Sequence, residues 1–162
     1  MCGILACIHH PNAQAYRPKM LNLSRTIRHR GPDWSGCVVV DEPDKQEPER
    51  GSILCHERLA IVGVDSGAQP LVSDDGKIFL CVNGEIYNHR QLRKSLKDQS
   101  VEFKTQSDCE VIMYLYREHG TDFVNMLDGM FSFVLLDTSV TPHRVVTARD
   151  PIGITTLYYG RS

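Results

Sequence analysis

A cysteine at position 2 of the 162-residue chain offers the first chemistry. An initiator methionine is expected to be removed before so small a residue, leaving Cys2 with a thiol and a free α-amine on adjacent atoms. That amine, with an ordinary pKa of about 7.7–8.0, can take the thiol's proton and later return it. Nucleophile and base then come from one residue. The same cysteine could merely begin a buried strand, since Cys2 to Ile8 is almost wholly apolar. Asn83-Gly84 sets a side-chain amide beside a backbone N–H that a ligand can approach closely, the donors that a developing oxyanion needs. An Asn-Gly pair is also a plain turn signal. Arg58 suits a forked clasp on a carboxylate, or an ion pair with its neighbour Glu57. Asp108 stands where a helix begins, so it can cap that helix or receive an ammonium group. Spacing alone does not join these four.

The elements that must position them can be read from periodicity. Cys2 to Ile8 predicts a buried strand. Met20, Leu23 and Ile27 predict a helix over Pro18 to His29, ended by Arg30-Gly31-Pro32-Asp33. Val38 to Val40 starts a strand. Asp41 to Arg50, with five acidic residues, two basic ones and two prolines, predicts a solvated loop. Ser52 to Cys55 and Leu59 to Val64 predict strands on either side of His56-Glu57-Arg58, and Lys77 to Val82 another. Asn83-Gly84 followed by Leu92 and Leu96 predicts a strand-to-helix connection. Ser107-Asp108-Cys109-Glu110 fits a capping box before a helix that ends at Gly120. Thr121 to Leu127 is a shorter helix, Met130 to Asp137 and Arg144 to Arg149 are strands joined through a Thr-Pro turn, and Leu157 to Tyr159 begins a last one. Strands in runs with helices in two clusters predict an α+β fold, helices packed on sheets.

Composition narrows the classes of function. At 41% hydrophobic and 23% charged residues the chain has ordinary globular usage, which argues against wholesale disorder. Eighteen basic against 20 acidic residues give a net charge of -2. No basic surplus is present to displace counterions from a nucleic acid. The longest apolar stretch, Met130 to Leu136, is far short of the ~20 residues that span a bilayer. The six cysteines contain no C-x-x-C pair, and His56-Glu57 lacks the second histidine of H-E-x-x-H, because position 60 is alanine. No metal site is expected. A reducing, cytoplasmic setting is expected, with most cysteines acting as small buried hydrophobes.

Longer motifs join the four residues. Met1-Cys2-Gly3-Ile4, Arg28-His29-Arg30-Gly31-Pro32-Asp33-Trp34-Ser35-Gly36, His56-Glu57-Arg58-Leu59-Ala60-Ile61-Val62 and Ser66-Gly67-Ala68-Gln69-Pro70-Leu71 occur in order. Val82-Asn83-Gly84-Glu85-Ile86-Tyr87-Asn88-His89, Ser107-Asp108-Cys109-Glu110-Val111-Ile112, Asp128-Gly129-Met130-Phe131 and Arg149-Asp150-Pro151-Ile152-Gly153 follow. Together they resemble the N-terminal glutaminase domain of glutamine-hydrolysing asparagine synthetases, class II glutamine amidotransferases of the N-terminal-nucleophile hydrolase type. The resemblance runs from the first residue to about Tyr159. It implies a four-layer αββα sandwich of two mainly antiparallel sheets between helical layers, with residues 1–162 as one glutaminase domain. It implies Cys2 as the nucleophile on the glutamine side-chain carbonyl, and Asn83 with the Gly84 N–H as the oxyanion hole. Arg58 would clasp the α-carboxylate, with Leu59, Ile61 and Val62 in the same segment, and Asp108, helped by Glu85, would hold the α-ammonium.

No cofactor is expected for that step. ATP and Mg belong to a synthetase domain of the resembled family, whose Ser-Gly-Gly-x-Asp-Ser loop does not occur in this chain. The expected partners are L-glutamine and such a synthetase domain, with neither nucleic acid nor membrane, and a homodimer is left open. The chain is expected to stop before the last strands of the glutaminase domain. Two readings therefore stand: an active glutaminase, or a truncated fragment that binds glutamine or regulates without turnover.

Overall fold

Residues 1–60 and 66–161 are described by a computed structural model. Strands β1 (Gly3–His10), β2 (Trp34–Asp41) and β3 (Gly51–Arg58) form one antiparallel sheet in the order β1-β3-β2. Strands β4 (Leu71–Val72), β5 (Ile78–Ile86), β6 (Gly129–Asp137) and β7 (Arg144–Arg149) form a second, in the order β4-β5-β6-β7. Helix α1 (Ala13–Arg25) covers the outer face of the first sheet, where Ala13 and Met20 pack on Ile53 and Cys55. Helices α2 (His89–Ser95) and α3 (Val111–His119) cover the outer face of the second, through a cluster that includes Leu80, Val82, Leu92, Ile112, Leu115, Phe131 and Phe133. Between the sheets lie Val40, Leu54, Cys81, Val134 and Leu136, with Ile4, Ala6 and Phe79 packed against them. The layers run helix, sheet, sheet, helix, which is the αββα sandwich expected.

Strand β3 shows why a central strand here reads as a run instead of an alternation. All eight of its residues are buried, odd positions under α1 and even positions against the second sheet. The period of two also sets which way the chemistry faces. Cys2 continues the side of Ile4 and Ala6, His56 and Arg58 continue that of Leu54, and Asn83 continues that of Cys81. All four therefore turn toward the space between the sheets.

Several expected boundaries move. The first helix starts at Ala13, five residues early, because Asn12 Oδ1 accepts from the Ala15 N–H at 3.0 Å and caps it there. Pro18 then sits inside the helix, which ends at Arg25, followed by a 3-10 turn over Arg28–Arg30. His56-Glu57-Arg58 is not an interruption: pairing with β1 and β2 on both sides carries β3 straight through it. Leu59 and Ala60 are outside any strand, and the rest of the strand expected over 59–64 falls beyond the described residues. Asn83-Gly84 lies within β5, opposite Ser132 and Phe131, and the turn comes at Tyr87-Asn88 instead. Ser107 does cap its 3-10 turn by accepting from Cys109 N. The reciprocal half of the capping box is absent, because the Glu110 carboxylate accepts from Lys104, Thr105 and its hydroxyl. The loop after Asp41 is not uniformly solvated: Glu42 is 3% exposed, held by His9, Arg50 and the His143 N–H. Leu157 to Tyr159 forms no strand, and Tyr158 and Tyr159 are exposed.

Candidate active site

Cys2 enters at the start of β1 and is half-buried. Its Sγ accepts from the Leu59 N–H at 3.3 Å, which fastens the nucleophile candidate to the end of β3. Arg30 Nε donates to the Cys2 carbonyl at 3.2 Å. Burial pushes the Cys2 thiol up, opposed by the Leu59 N–H and by the positive charges of the N-terminus, Arg58 and Arg30. A thiol held this way does not ionise by itself near neutrality and needs a base to make it a nucleophile.

Around it lies a cavity of about 80 Å³ lined by Met1, Cys2, Arg58, Leu59, Gly84, Glu85 and Asp108, among others. Arg58 is 8% exposed, and its Nη2 donates to the Ser66 carbonyl at 2.8 Å. The segment after Arg58 is tied down by Asp33, whose N–H donates to the Arg58 carbonyl at 3.0 Å and whose Oδ2 accepts from Ala60 N at 2.9 Å. Gly31 must be glycine for that approach, since a Cβ there would lie 2.2 Å from the Glu57 carbonyl oxygen.

Asp108 is 6% exposed, and its Oδ2 accepts from the Ile86 N–H at 2.6 Å, so it bridges to the end of β5 while Ser107 does the capping. Gly84 has φ +147°, and a Cβ on it would meet the Met130 carbonyl oxygen at 2.0 Å. A positive Arg58 and the negative Glu85 and Asp108 thus border one small cavity with a thiol in it. A zwitterion carrying both an α-carboxylate and an α-ammonium matches that charge layout.

The expected residues Cys2, Arg58, Leu59, Gly84, Glu85 and Asp108 all come together in this cavity. Ile61 and Val62 lie outside the described residues. Asn83 does not line the cavity: it is 5% exposed beside Gly84, and its Oδ1 has no partner. Two residues before Arg58, His56 is fully buried with Nε2 3.0 Å from the Val82 carbonyl. Burial lowers its pKa to about 4, so the ring is neutral near pH 7.

Sequence reasoning gave no role to Gln69, Cys109 or Met130, which also line the cavity. Gln69 Oε1 accepts from the Val82 N–H at 2.6 Å and so pins the strand that carries Gly84. The Ser66–Leu71 motif was the available signal for Gln69. Met130 is the cross-strand partner of Glu85. Among the described residues no group of His, Cys, Asp and Glu is arranged to hold a metal ion, and no helix is long and apolar enough to cross a membrane.

A family described as a glutamine amidotransferase domain matches residues 1–162. A probable glutamine-hydrolysing asparagine synthetase of Schizosaccharomyces pombe is 62% identical over 100% of this chain and 27% of its own length. Asparagine synthetase 1 (glutamine-hydrolysing) of Saccharomyces cerevisiae is 54% identical over 100% of this chain and 26% of its own. The chain spans about a quarter of these relatives (27% and 26%). Among solved structures, a glutamine phosphoribosylpyrophosphate amidotransferase from B. subtilis superposes with a TM-score of 0.62 at 23% identity. It covers 94% of this chain and 37% of that one, a likeness of fold.

Proposed function

Since the chain belongs to the glutamine amidotransferase family, we propose that it hydrolyses the side-chain amide of glutamine to glutamate and ammonia through a thioester on Cys2. The observation that carries this reading is the cavity whose wall Cys2 shares with Arg58, Glu85 and Asp108. Arg58 takes the glutamine α-carboxylate, and Asp108 with Glu85 takes the α-ammonium. Leu59 borders the cavity beside Arg58, and Ile61 and Val62 follow it in the segment that the resemblance assigns to substrate binding. That leaves the amide carbonyl to face Cys2.

Removal of Met1 does two things in this scheme. It frees the Cys2 amine as the base that the buried thiol requires, and it clears a residue from the cavity wall. The amine takes the thiol proton as Sγ adds to the carbonyl carbon. The Gly84 N–H on the cavity wall, and the Asn83 amide once it turns in from its buried place beside that wall, receive the negative charge that develops on oxygen. The tetrahedral intermediate collapses, the amine returns its proton to the departing nitrogen, and ammonia leaves. Water then adds to the thioester and releases glutamate. In longer relatives the ammonia would pass to a synthetase domain, with its ATP and Mg, that makes asparagine from an activated aspartate. A cytoplasmic setting fits six cysteines that are all free thiols.

The test is the intact mass of the purified chain before and after a diazo-ketone analogue of glutamine, which alkylates a thiol that lies where the amide carbonyl would bind. A starting mass without Met1 and one adduct mapping to Cys2 are expected. Cys2→Ala should give no adduct and no ammonia release. Processed protein without an adduct would overturn the catalytic reading and leave a module that binds glutamine without turnover.

A further inference from the structure

Away from the cavity, under α1, two thiols face each other. Cys37 on β2 and Cys55 on β3 are cross-strand partners, and the Cys55 thiol donates to Cys37 Sγ with 3.5 Å between the sulfurs. Directly opposed residues of an antiparallel pair have Cα atoms about 4.5 or 5.5 Å apart, depending on their place in the hydrogen-bond ladder. Both values fall within the range that a disulfide spans. Cys55 is fully buried, whereas Cys37 is half-buried. Arg17 of α1 brings its guanidinium to Cys37.

We propose that Cys37 and Cys55 are a redox-active dithiol, closed to a cross-strand disulfide by a hydroperoxide. The Cys37 thiolate attacks one peroxide oxygen, the O–O bond breaks, and Cys37 becomes a sulfenic acid while hydroxide leaves. The Cys55 sulfur then attacks the Cys37 sulfur, the S–OH bond breaks, and the departing oxygen takes the Cys55 proton as water. Two thiols lose one electron each, and hydrogen peroxide is reduced to two waters. A dithiol reductant reverses the bond.

The choice of Cys37 as the attacking sulfur rests on its surroundings. The hydrogen bond from Cys55, together with Arg17, lowers its pKa, whereas burial raises those of Cys2, Cys7 and Cys81. The pair also lies on the α1 face of the first sheet, opposite the face that Cys2 continues, so the site is separate from the proposed nucleophile.

Limited hydrogen peroxide on the reduced chain should lower its intact mass by two hydrogens, yield a linked peptide joining Cys37 to Cys55, and be reversed by dithiothreitol. In Cys55→Ser the sulfenic acid has no resolving partner, so dimedone should add once, at Cys37. In Cys37→Ser, which changes a half-buried position, the linked peptide should be lost. A disulfide formed through Cys7, or added oxygen on Cys2 with the Cys37 and Cys55 peptides unmodified, would overturn the proposal. So would a Cys55→Ser chain, which keeps a donor for Cys37, that takes no dimedone there.

Discussion

Asn83 and Arg58 face the same intersheet space, yet they should fail in different ways when changed. Asn83 Oδ1 is buried without a partner, and an unpaired buried polar atom stabilises nothing. Asn83→Ala should therefore leave the urea midpoint almost unmoved while lowering kcat for glutamine hydrolysis by about 10²–10³, the usual effect of losing one oxyanion donor. A variant with near-native kcat would take Asn83 out of the reaction. Arg58 is different, because its guanidinium already holds the Ser66 carbonyl and borders the cavity. Lysine keeps the charge but cannot fork onto a carboxylate. Arg58→Lys should raise KM for glutamine about tenfold or more, in line with the 1.5–3 kcal/mol typical of a hydrogen bond to a charged group. Steady-state ammonia release reads both variants, and an unchanged KM would place the α-carboxylate elsewhere. At this scale the sequence was legible for what its motifs gather: Cys2, Arg58 and Asp108, far apart in the chain, border one cavity. It was not legible for Gln69, which acts on a backbone N–H thirteen residues away.

Strand β5 carries the main lesson at the level of elements. Asn-Gly is a turn signal, yet residues 78–86 form one strand, because β6 pairs with it residue for residue from Asp137 to Gly129. Long-range pairing outweighs the local preference. Gly84 reconciles the two, since its positive φ and missing Cβ let the Met130 carbonyl approach where no other side chain would fit. Gly84→Ala should destabilise the chain by more than about 1 kcal/mol, from strain at that φ and a forced shift of β6. Glutaminase activity should fall with it, since Glu85 and Met130 move together. Urea unfolding and ammonia release on the same preparation check this, and a stable, active variant would mean that β6 yields easily. The other displaced boundaries have similar causes. Asn12 fixes the start of α1 through one side-chain hydrogen bond, and Leu157 to Tyr159 pairs with no strand among the described residues. The four-layer architecture was legible nonetheless, because the motif order implied it and the apolar periods agreed.

For the whole molecule the decisive layer is the one between the sheets, apolar at Leu54, Val134 and Leu136 and polar toward Cys2 and Asn83. His56 joins the two sheets in that layer through the Val82 carbonyl, with Glu57 and Arg58 as its charged chain neighbours. Its pKa falls from 6.5 to about 4, first through burial and also through Arg58, while the Val82 carbonyl and Glu57 resist. The unfolded chain therefore binds a proton that the folded one refuses between about pH 6.5 and pH 4. Stability is full above that window and is lost as pH falls through it, by roughly 3 kcal/mol at most. His89, also lowered by burial, adds in the same direction. Asp150, which burial pushes up but four backbone N–H groups hold near a pKa of about 2, contributes below the window instead. His56→Gln keeps a donor for Val82 but has nothing to titrate. Urea unfolding of both chains at several pH values from 8 to 4 should show a steeper fall for the native chain below about pH 6.5, with the two curves parallel above pH 7. Parallel curves throughout would mean that the layer admits the imidazolium, and the seam beside Cys2 and Asn83 would then be wetter than its packing indicates.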